Sequence, residues 1–199
     1  MSRRLPAEER RAAILASALT VFAEKGYHAT SVTDLVEAAG VARGTFYLYF
    51  ESKHALFTEL LDEVLGLLRG AVQGVDTRPG AAPLAEQLTQ TVTRVLQVAR
   101  AHRPIATLVF REAVGLDANV DARIAAFEER LQAYLVESLE RGVAMGLLRG
   151  HATEPVATAI YGAIRQVIVR WVVQEAGGDE ALEEVAAAVV GLHLGGVGG

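Results

Sequence analysis

The sequence of 199 residues contains no cysteine, and only two of its 19 basic side chains are lysines. Without cysteine the chain has no disulfide framework, no thiolate-bound zinc or iron–sulfur centre and no thiol nucleophile. Its five histidines are isolated from one another, so their spacing predicts no metal site, and we expect no cofactor. This composition is consistent with a reducing compartment, and we expect a cytoplasmic protein.

The sequence also lacks the motifs that accompany common catalytic sites. It contains no G-x-S-x-G elbow, no Walker loop and no dinucleotide-binding glycine pattern. Paired carboxylates on an apolar helix face, which would suggest acid–base catalysis, are not evident either. We therefore predict that the protein is not an enzyme.

Long uninterrupted apolar runs are missing as well. Residues 1–11 mix charges with a proline, unlike the apolar core of a signal peptide. The most apolar late segment, 156–173, is interrupted by Arg165, Gln166 and Arg170, which would be costly at bilayer depth. We interpret this segment as a buried helix and expect no membrane partner.

The net charge of −5 is unevenly distributed along the chain. Residues 1–55 carry seven basic and six acidic side chains, whereas the remainder carries twelve basic and eighteen acidic ones. Both lysines, Lys25 and Lys53, belong to the first part. Only this N-terminal part is therefore suited to meet a polyanion such as DNA.

Apolar residues recur every three or four positions nearly everywhere, and no stretch alternates as a strand does, so we predict an all-α protein. The predicted helices span residues 7–24, 32–39, 43–50, 53–69, 84–101, 104–115, 120–148, 155–176 and 179–194. A Gly- and Pro-rich loop is expected at 74–83, and the tail 195–199 is expected to be disordered. We predict an N-terminal three-helix helix-turn-helix head in residues 1–52 and a helical bundle in residues 53–199.

The segment 30–53, TSVTDLVEAAGVARGTFYLYFESK, has a pattern typical of two short helices packed across a tight turn at Gly40. Phe46 and Phe50 would anchor the second helix from inside, leaving its polar and aromatic side chains exposed. Such a helix offers hydrogen-bond donors to phosphates and base edges of double-stranded DNA. An ordinary helical hairpin with half-buried tyrosines remains the alternative. A protein of that kind would bind ligands or act as an adaptor without sequence-specific DNA binding.

Residues from about 10 to 57, which include this segment and the preceding Gly26-Tyr27, closely resemble the DNA-binding head of the TetR family of transcriptional regulators. The resemblance implies that Arg43, Thr45 and Tyr47 reach DNA from the recognition helix and that Gly44 tunes the fit. It also implies phosphate contacts from Tyr49 and Lys53 and further contacts from Thr30 and Thr33 on the preceding helix. Packing of Tyr49 against the head is an alternative that the sequence leaves open.

Over the rest of the chain the resemblance implies a regulatory domain with a ligand cavity in each subunit and a homodimer formed by the last two long helices. Two heads would then meet one palindromic operator about one DNA turn (~34 Å) apart. The function implied is a ligand-responsive repressor that a small apolar effector releases from DNA. The sequence specifies neither the effector nor the operator.

Candidate residues for the dimer interface follow a three/four rhythm along the last two helices, although an internal core face would show the same rhythm. They are Ile160, Ile164, Val167, Ile168 and Trp171 on the penultimate helix, and Val185, Val189, Leu192 and His193 on the last.

Candidate pocket residues are polar or aromatic side chains in otherwise aliphatic surroundings, a mixture that suits an apolar cavity with a few orienting groups. They are His102, Phe110, Arg111, Phe127, Tyr134 and Tyr161. Arg111 would orient a polar ligand end, or else pair with Glu112 at the surface. We expect the helix predicted at 53–69 to join cavity and head, so that a ligand displacing its far end would move the recognition helix.

Overall fold

The computed structural model of this chain describes residues 6–107, 109–110, 118–150, 152–178 and 181–197. Within this part of the chain no strand occurs, which confirms the prediction of an all-α protein. The helices are α1 (Ala7–Lys25), α2 (Val32–Ala39), α3 (Arg43–Tyr47), α4 (Lys53–Ala71), α5 (Leu84–Ala101), α6 (Arg103–Thr107), α7 (Ala118–Ala144), α8 (Thr153–Val167) and α9 (Ala181–Val197).

Helix α2 begins and ends at residues with recognisable capping roles. The Ser31 hydroxyl accepts a hydrogen bond from the Asp34 backbone N–H at 3.1 Å, and the Asp34 carboxylate accepts one from the Ser31 backbone N–H at 2.7 Å. These reciprocal bonds form a capping box, which satisfies two donors that a helix start otherwise leaves unpaired. At the other end Gly40 adopts φ 63° and ψ 32°, a left-handed conformation that favours glycine.

Helix α3, the predicted recognition helix, is three residues shorter than the predicted 43–50. Beyond Tyr47 the chain turns, and the Tyr49 and Phe50 backbone N–H groups both donate to the Phe46 carbonyl at 3.0 Å. Phe46 and Phe50 nevertheless remain buried in the head core, as the sequence predicts. The turn therefore ends the helix without disturbing the apolar face that anchors it.

Helix α4 belongs to the head at one end and to the regulatory bundle at the other. Near its start the Phe57 ring packs edge-on to Phe22 of α1 at 5.6 Å and lies 4.8 Å from the Tyr27 ring. Further along, Leu65 and Leu68 are buried among the helices that follow. One hydrophobic core consequently runs through both parts, and the division at residues 52 and 53 stays a prediction.

In the regulatory part, α5 packs against α4 and α9, and α7 packs against α8. Helix α8 continues into a π-helical turn, Ile168–Val173, whose end is held by Arg100. The Arg100 guanidinium donates to the carbonyls of Trp171 and Gly177, each at 2.8 Å. These bonds satisfy carbonyls that the end of a helix leaves unpaired.

Several other helix boundaries also differ from those predicted. Helix α7 ends at Ala144 rather than at residue 148, because the chain turns there and Gly146 takes a positive φ of 71°. Helix α9 continues to Val197, so the prediction of disorder from residue 195 is wrong for residues 195–197. The predicted helix 104–115 begins at Arg103, and most of its second half lies outside the described residues.

The segment Thr153–Val173 is long and apolar enough, by length and composition alone, to cross a membrane. Only 22% of its most apolar window is buried within the chain, so the prediction of a buried helix holds for one side of it and fails for the other. A single helix of this kind is weak evidence for a membrane span, since helices from protein cores and interfaces have the same composition.

Candidate DNA-binding surface and ligand cavity

The outer face of α3 presents the side chains expected to reach DNA. Arg43 and Gly44 are exposed, Thr45 is half-buried, and Tyr47 keeps 48% of its surface accessible. Behind them the fully buried Phe46 holds the helix against the head, with its ring edge-on to Tyr47 at 5.3 Å. The helix therefore offers a cation, a hydroxyl and a phenol on one rigid exposed surface.

The two threonines predicted to bind phosphate are placed differently. Thr33 is exposed in the first turn of α2, where backbone N–H groups and the positive end of the helix favour an anion. Thr30 is only 2% exposed, and its hydroxyl donates to the Gly26 carbonyl at 2.7 Å. The Thr30 hydroxyl therefore closes the turn after α1, and a DNA contact from Thr30 stays a prediction that this placement does not favour.

Lys53 is also turned inward. Its ammonium donates to the backbone carbonyls of Tyr27 at 2.8 Å and Thr30 at 2.7 Å, and it lies 4.3 Å from the centre of the Tyr27 ring. Burial lowers the pKa of Lys53 from its ordinary value. Lys53 thus ties the start of α4 to the loop before α2. These bonds favour a positioning role, and the phosphate contact stays a prediction.

Tyr49 is half-buried and packs on the head core. Its hydroxyl accepts a hydrogen bond from Arg10 Nη1 at 3.3 Å. This placement favours the alternative in which Tyr49 holds the head together rather than binding phosphate.

An ion pair beside the recognition helix joins α1 to α2. Lys25 Nζ lies 2.5 Å from Asp34 Oδ1 on the protein surface. The Lys25 ammonium, followed by the hydrogen bonds from Ser31, holds the pKa of Asp34 well below its ordinary value. The charge of Asp34 therefore supports the cap of α2 and the position of α2 on α1 together.

A cavity of about 1330 Å³ lies in the regulatory part and opens to solvent. It exceeds the ~300–1,000 Å³ typical of drug-sized sites, and aliphatic and aromatic side chains from α4, α5, α7, α8 and α9 form most of its walls. Four of the predicted pocket residues line it: Phe110, Phe127, Tyr134 and Tyr161. His102 does not, because it ends α5 at a corner outside the cavity, and Arg111 lies outside the described residues.

A polar cluster lies against the apolar wall of the cavity. The Tyr161 hydroxyl donates to Glu128 Oε1 at 2.5 Å, and the Arg165 guanidinium lies 5.7 Å from the centre of the Phe110 ring. Burial, followed by the bond to Glu128, raises the pKa of Tyr161 from its ordinary value. The phenol of Tyr161 is therefore neutral, and its O–H group already donates to Glu128.

Most of the charge lining the cavity was missed by the sequence analysis. Among the described lining residues the single carboxylate is that of Asp62, and the cationic side chains are Arg69, Arg123, Arg130, Arg141 and Arg165. In a chain with a net charge of −5, this cavity is locally basic. Arg123 and Arg130 are two helical turns apart, so the sequence indicates that they share one face of their helix. It does not show which other helix that face meets.

Seven of the nine residues predicted for the dimer interface contact their own subunit. Ile160, Ile164, Ile168, Val189 and His193 line the cavity, and Val167 and Trp171 pack against the core. These side chains therefore fit the alternative that the sequence leaves open, in which they form an internal face of their own subunit. Leu192 is different, since 75% of its surface is exposed on α9 beside the exposed Ala188 and Gly191.

Within the residues that the structure describes, no three His, Asp or Glu side chains are grouped closely enough to hold a metal ion. The two sites that the geometry defines are an exposed helix-turn-helix surface and a large ligand cavity, joined by α4. Together they define a helix-turn-helix DNA-binding protein with a regulatory domain.

Comparison with known proteins identifies the family. The family described as bacterial regulatory proteins, tetR family, matches residues 14–60, and the one described as tetracyclin repressor-like, C-terminal domain, matches residues 81–197. The transcriptional repressor KstR2 of Mycolicibacterium smegmatis is 30% identical over 194 residues, which cover 94% of this chain and 90% of that protein. The chain belongs to the TetR family of transcriptional regulators.

Solved structures show the same fold over nearly the whole chain. The fatty acid degradation regulator FadR of Bacillus halodurans has a TM-score of 0.73 and 26% identity, with 98% of each chain covered. FadR of Bacillus subtilis in complex with stearoyl-CoA has a TM-score of 0.73 and 23% identity, covering 93% of this chain and 98% of that one. Matches to two other curated regulators are shorter and span 34% and 36% of those proteins.

Proposed function

We propose that this regulator is a repressor that binds a palindromic operator as a homodimer and leaves it when the cavity takes an elongated, largely apolar effector. The observation that carries the proposal is the position of α4. Its first turns pack on the head through Phe57, and Leu65 and Leu68 further along line the cavity. A ligand that moves the far end of α4 therefore also moves the recognition helix.

The effector class we propose is a long-chain acyl thioester of coenzyme A. The size and apolar walls of the cavity suit an acyl chain, and its arginines suit an anionic head group. The likeness to a FadR structure that holds stearoyl-CoA supports this class by fold alone. KstR2 is described as a repressor, which supports repression as the regulatory outcome.

The homodimer we propose uses the outer faces of α8 and α9. Small or apolar side chains are exposed there, including Gly162 on α8 and Ala188, Gly191 and Leu192 on α9. Helix α8 buries little of its own surface within one chain, and the family forms dimers through its last helices. Pairing of these faces by a two-fold axis would present two copies of α3 to consecutive major grooves.

Selection of bound genomic fragments by the purified protein, followed by titration with palmitoyl-CoA, tests the proposal. We expect an enriched palindrome and a fall in operator affinity of about 5- to 150-fold on addition of palmitoyl-CoA, which corresponds to the usual coupling of ~1–3 kcal/mol. Enrichment of no fragment would favour an adaptor without sequence-specific DNA binding. Tight binding of palmitoyl-CoA without any change in operator affinity would contradict the role of α4.

A further inference from the structure

An ion pair bridges α4 and α7 at the rim of the cavity. Arg123 Nη1 lies 2.5 Å from Asp62 Oδ2, and both residues line the cavity. Arg123 also donates through Nε to the Asn119 side-chain oxygen at 2.9 Å. One side of the Arg123 guanidinium is thus held by its own helix, and the other side is bound to the helix that carries the head.

The charges around this pair are unbalanced. Asp62 is the single carboxylate among the described residues that line the large cavity. Arg69 lies two turns beyond Asp62 on α4, and Arg130 lies two turns beyond Arg123 on α7. The parts of α4 and α7 that line the cavity therefore carry three guanidinium groups and one competing carboxylate.

We propose that Arg123 is an exchange residue, which holds α4 through Asp62 in the ligand-free protein and transfers to the anionic head group of the effector when the cavity fills. The shared chemistry of the ligand is an anionic group, carboxylate or phosphate, on an apolar chain. The inference rests on the proposed function and adds to it how the bound ligand would release α4.

Because the ion pair between Arg123 and Asp62 is exposed, it is weak enough to break and form again. The side chains of Arg123 and Asp62 are 40% and 52% exposed, so water and salt weaken their attraction. A phosphate or a free carboxylate that reaches Arg123 can accept two charge-assisted hydrogen bonds from its guanidinium, whereas Asp62 accepts one. The bond to Asn119 keeps Arg123 in place during the exchange, since it lies within α7.

Release of Asp62 would affect DNA binding through α4. Asp62 lies in the middle of this helix, between Phe57, which packs on the head, and Leu65, which lines the cavity. At the start of the same helix, Lys53 is bonded to the loop before α2. Loss of the tie to α7 thus removes one restraint on a helix whose other end positions the proposed recognition surface.

The test measures the affinity of three amphiphiles of equal chain length for the full protein by titration calorimetry: palmitate, palmitoyl-CoA and uncharged hexadecanol. We expect R123Q to weaken binding of the anionic probes roughly tenfold and D62N to strengthen it about two- to fivefold, with hexadecanol unaffected by either. An effect confined to palmitate identifies a carboxylate head group, and one confined to palmitoyl-CoA identifies a phosphate. Either result supports the exchange.

The matched control is D76N, which removes the carboxylate of a similar pair, Arg78–Asp76, outside the cavity lining. Without ligand, D62N should lower affinity for a selected operator about two- to fivefold, whereas D76N should not. Equal responses of hexadecanol and the anionic probes to R123Q, or no response at all, would overturn the exchange and leave the effector class standing. Failure of all three amphiphiles to bind the wild type would overturn both.

Discussion

Arg43 and Lys53 are the two basic side chains that frame the recognition helix, and their surroundings differ. Arg43 is exposed at the start of α3, where it is free to reach a base edge or a phosphate. The Lys53 ammonium donates two of its three N–H groups to backbone carbonyls of the head. We therefore expect Arg43 to act directly on DNA and Lys53 to act by positioning.

For Arg43 we expect R43A to lower operator affinity by ~1–3 kcal/mol and to relax preference at one base pair, because an arginine reads guanine through paired hydrogen bonds. Competition assays with operators altered at single positions measure both effects. R78A, which removes an exposed arginine from the loop after α4, is the control and should bind as the wild type does. Unchanged base preference in R43A would contradict the assignment.

For Lys53 we expect K53M to lower the free energy of unfolding by about 1 kcal/mol, because two carbonyls lose a charged donor. Operator affinity should fall as well. The slope of log affinity against log salt concentration should not change, since we expect no phosphate contact to be lost. Urea unfolding and binding at three salt concentrations measure these quantities. A slope reduced by about one would instead show that Lys53 binds a phosphate.

The sequence predicted which side chains of α3 are exposed, because Phe46 and Phe50 have to face the core. It could not predict the direction of Thr30 or Lys53. A threonine before a helix and a lysine at a helix start are suited to bind phosphate, and they are equally suited to bond nearby carbonyls. Only the distances to Gly26 and Tyr27 separate these possibilities.

At the scale of the element, α2 depends on a charged cap. The pKa of Asp34 is lower in the folded protein than in the unfolded chain, so its ionised form stabilises the fold above the unfolded pKa of ~3.9. This contribution is lost as the pH falls through that value toward the folded pKa. The cap therefore loses its charged half in acid.

We expect the free energy of unfolding of the wild type to fall between about pH 5 and pH 2, and that of D34N to fall less over the same range. Urea unfolding followed by circular dichroism at several pH values measures the difference. E37Q changes an exposed carboxylate on the same helix but outside the cap, and it should follow the wild type. Parallel curves for D34N and the wild type would contradict the role of Asp34.

The elements themselves were largely predictable, because an apolar stripe with three/four spacing specifies a helix wherever it packs. Their ends were not. Helix α3 stops at Tyr47 through local backbone bonds, and the π-helical turn at Ile168–Val173 is held by Arg100, a residue distant in sequence. The spacing of apolar residues in the sequence predicts neither feature.

At the scale of the whole molecule, the sequence cannot show which helices face each other. The row Ile160, Ile164 and Ile168 suits a dimer interface and a cavity wall equally, and the structure places it on the cavity. The arginines of that cavity come from α4, α7 and α8, so their convergence depends on how three helices pack. We therefore expect a second copy to pack on the exposed faces of α8 and α9, which carry smaller side chains.

The proposed dimer gives the last prediction. Ala188 is exposed on α9 beside Gly191 and Leu192, so an arginine there would meet its symmetry mate in a closely packed interface. We expect A188R to sediment as a monomer and to lose roughly 100-fold or more in operator affinity, because two linked heads bind far more tightly than one.

Sedimentation velocity measures the association state, and fluorescence anisotropy with a selected operator measures the affinity. A133R, which places the same side chain on an exposed position of α7, is the matched control and should remain dimeric. Far-ultraviolet circular dichroism shows whether both variants keep their helices. Since Leu182, Ala186 and Val190 bury the opposite side of α9 against its own subunit, A188R should remain folded. A folded A188R that stays dimeric would place the interface elsewhere.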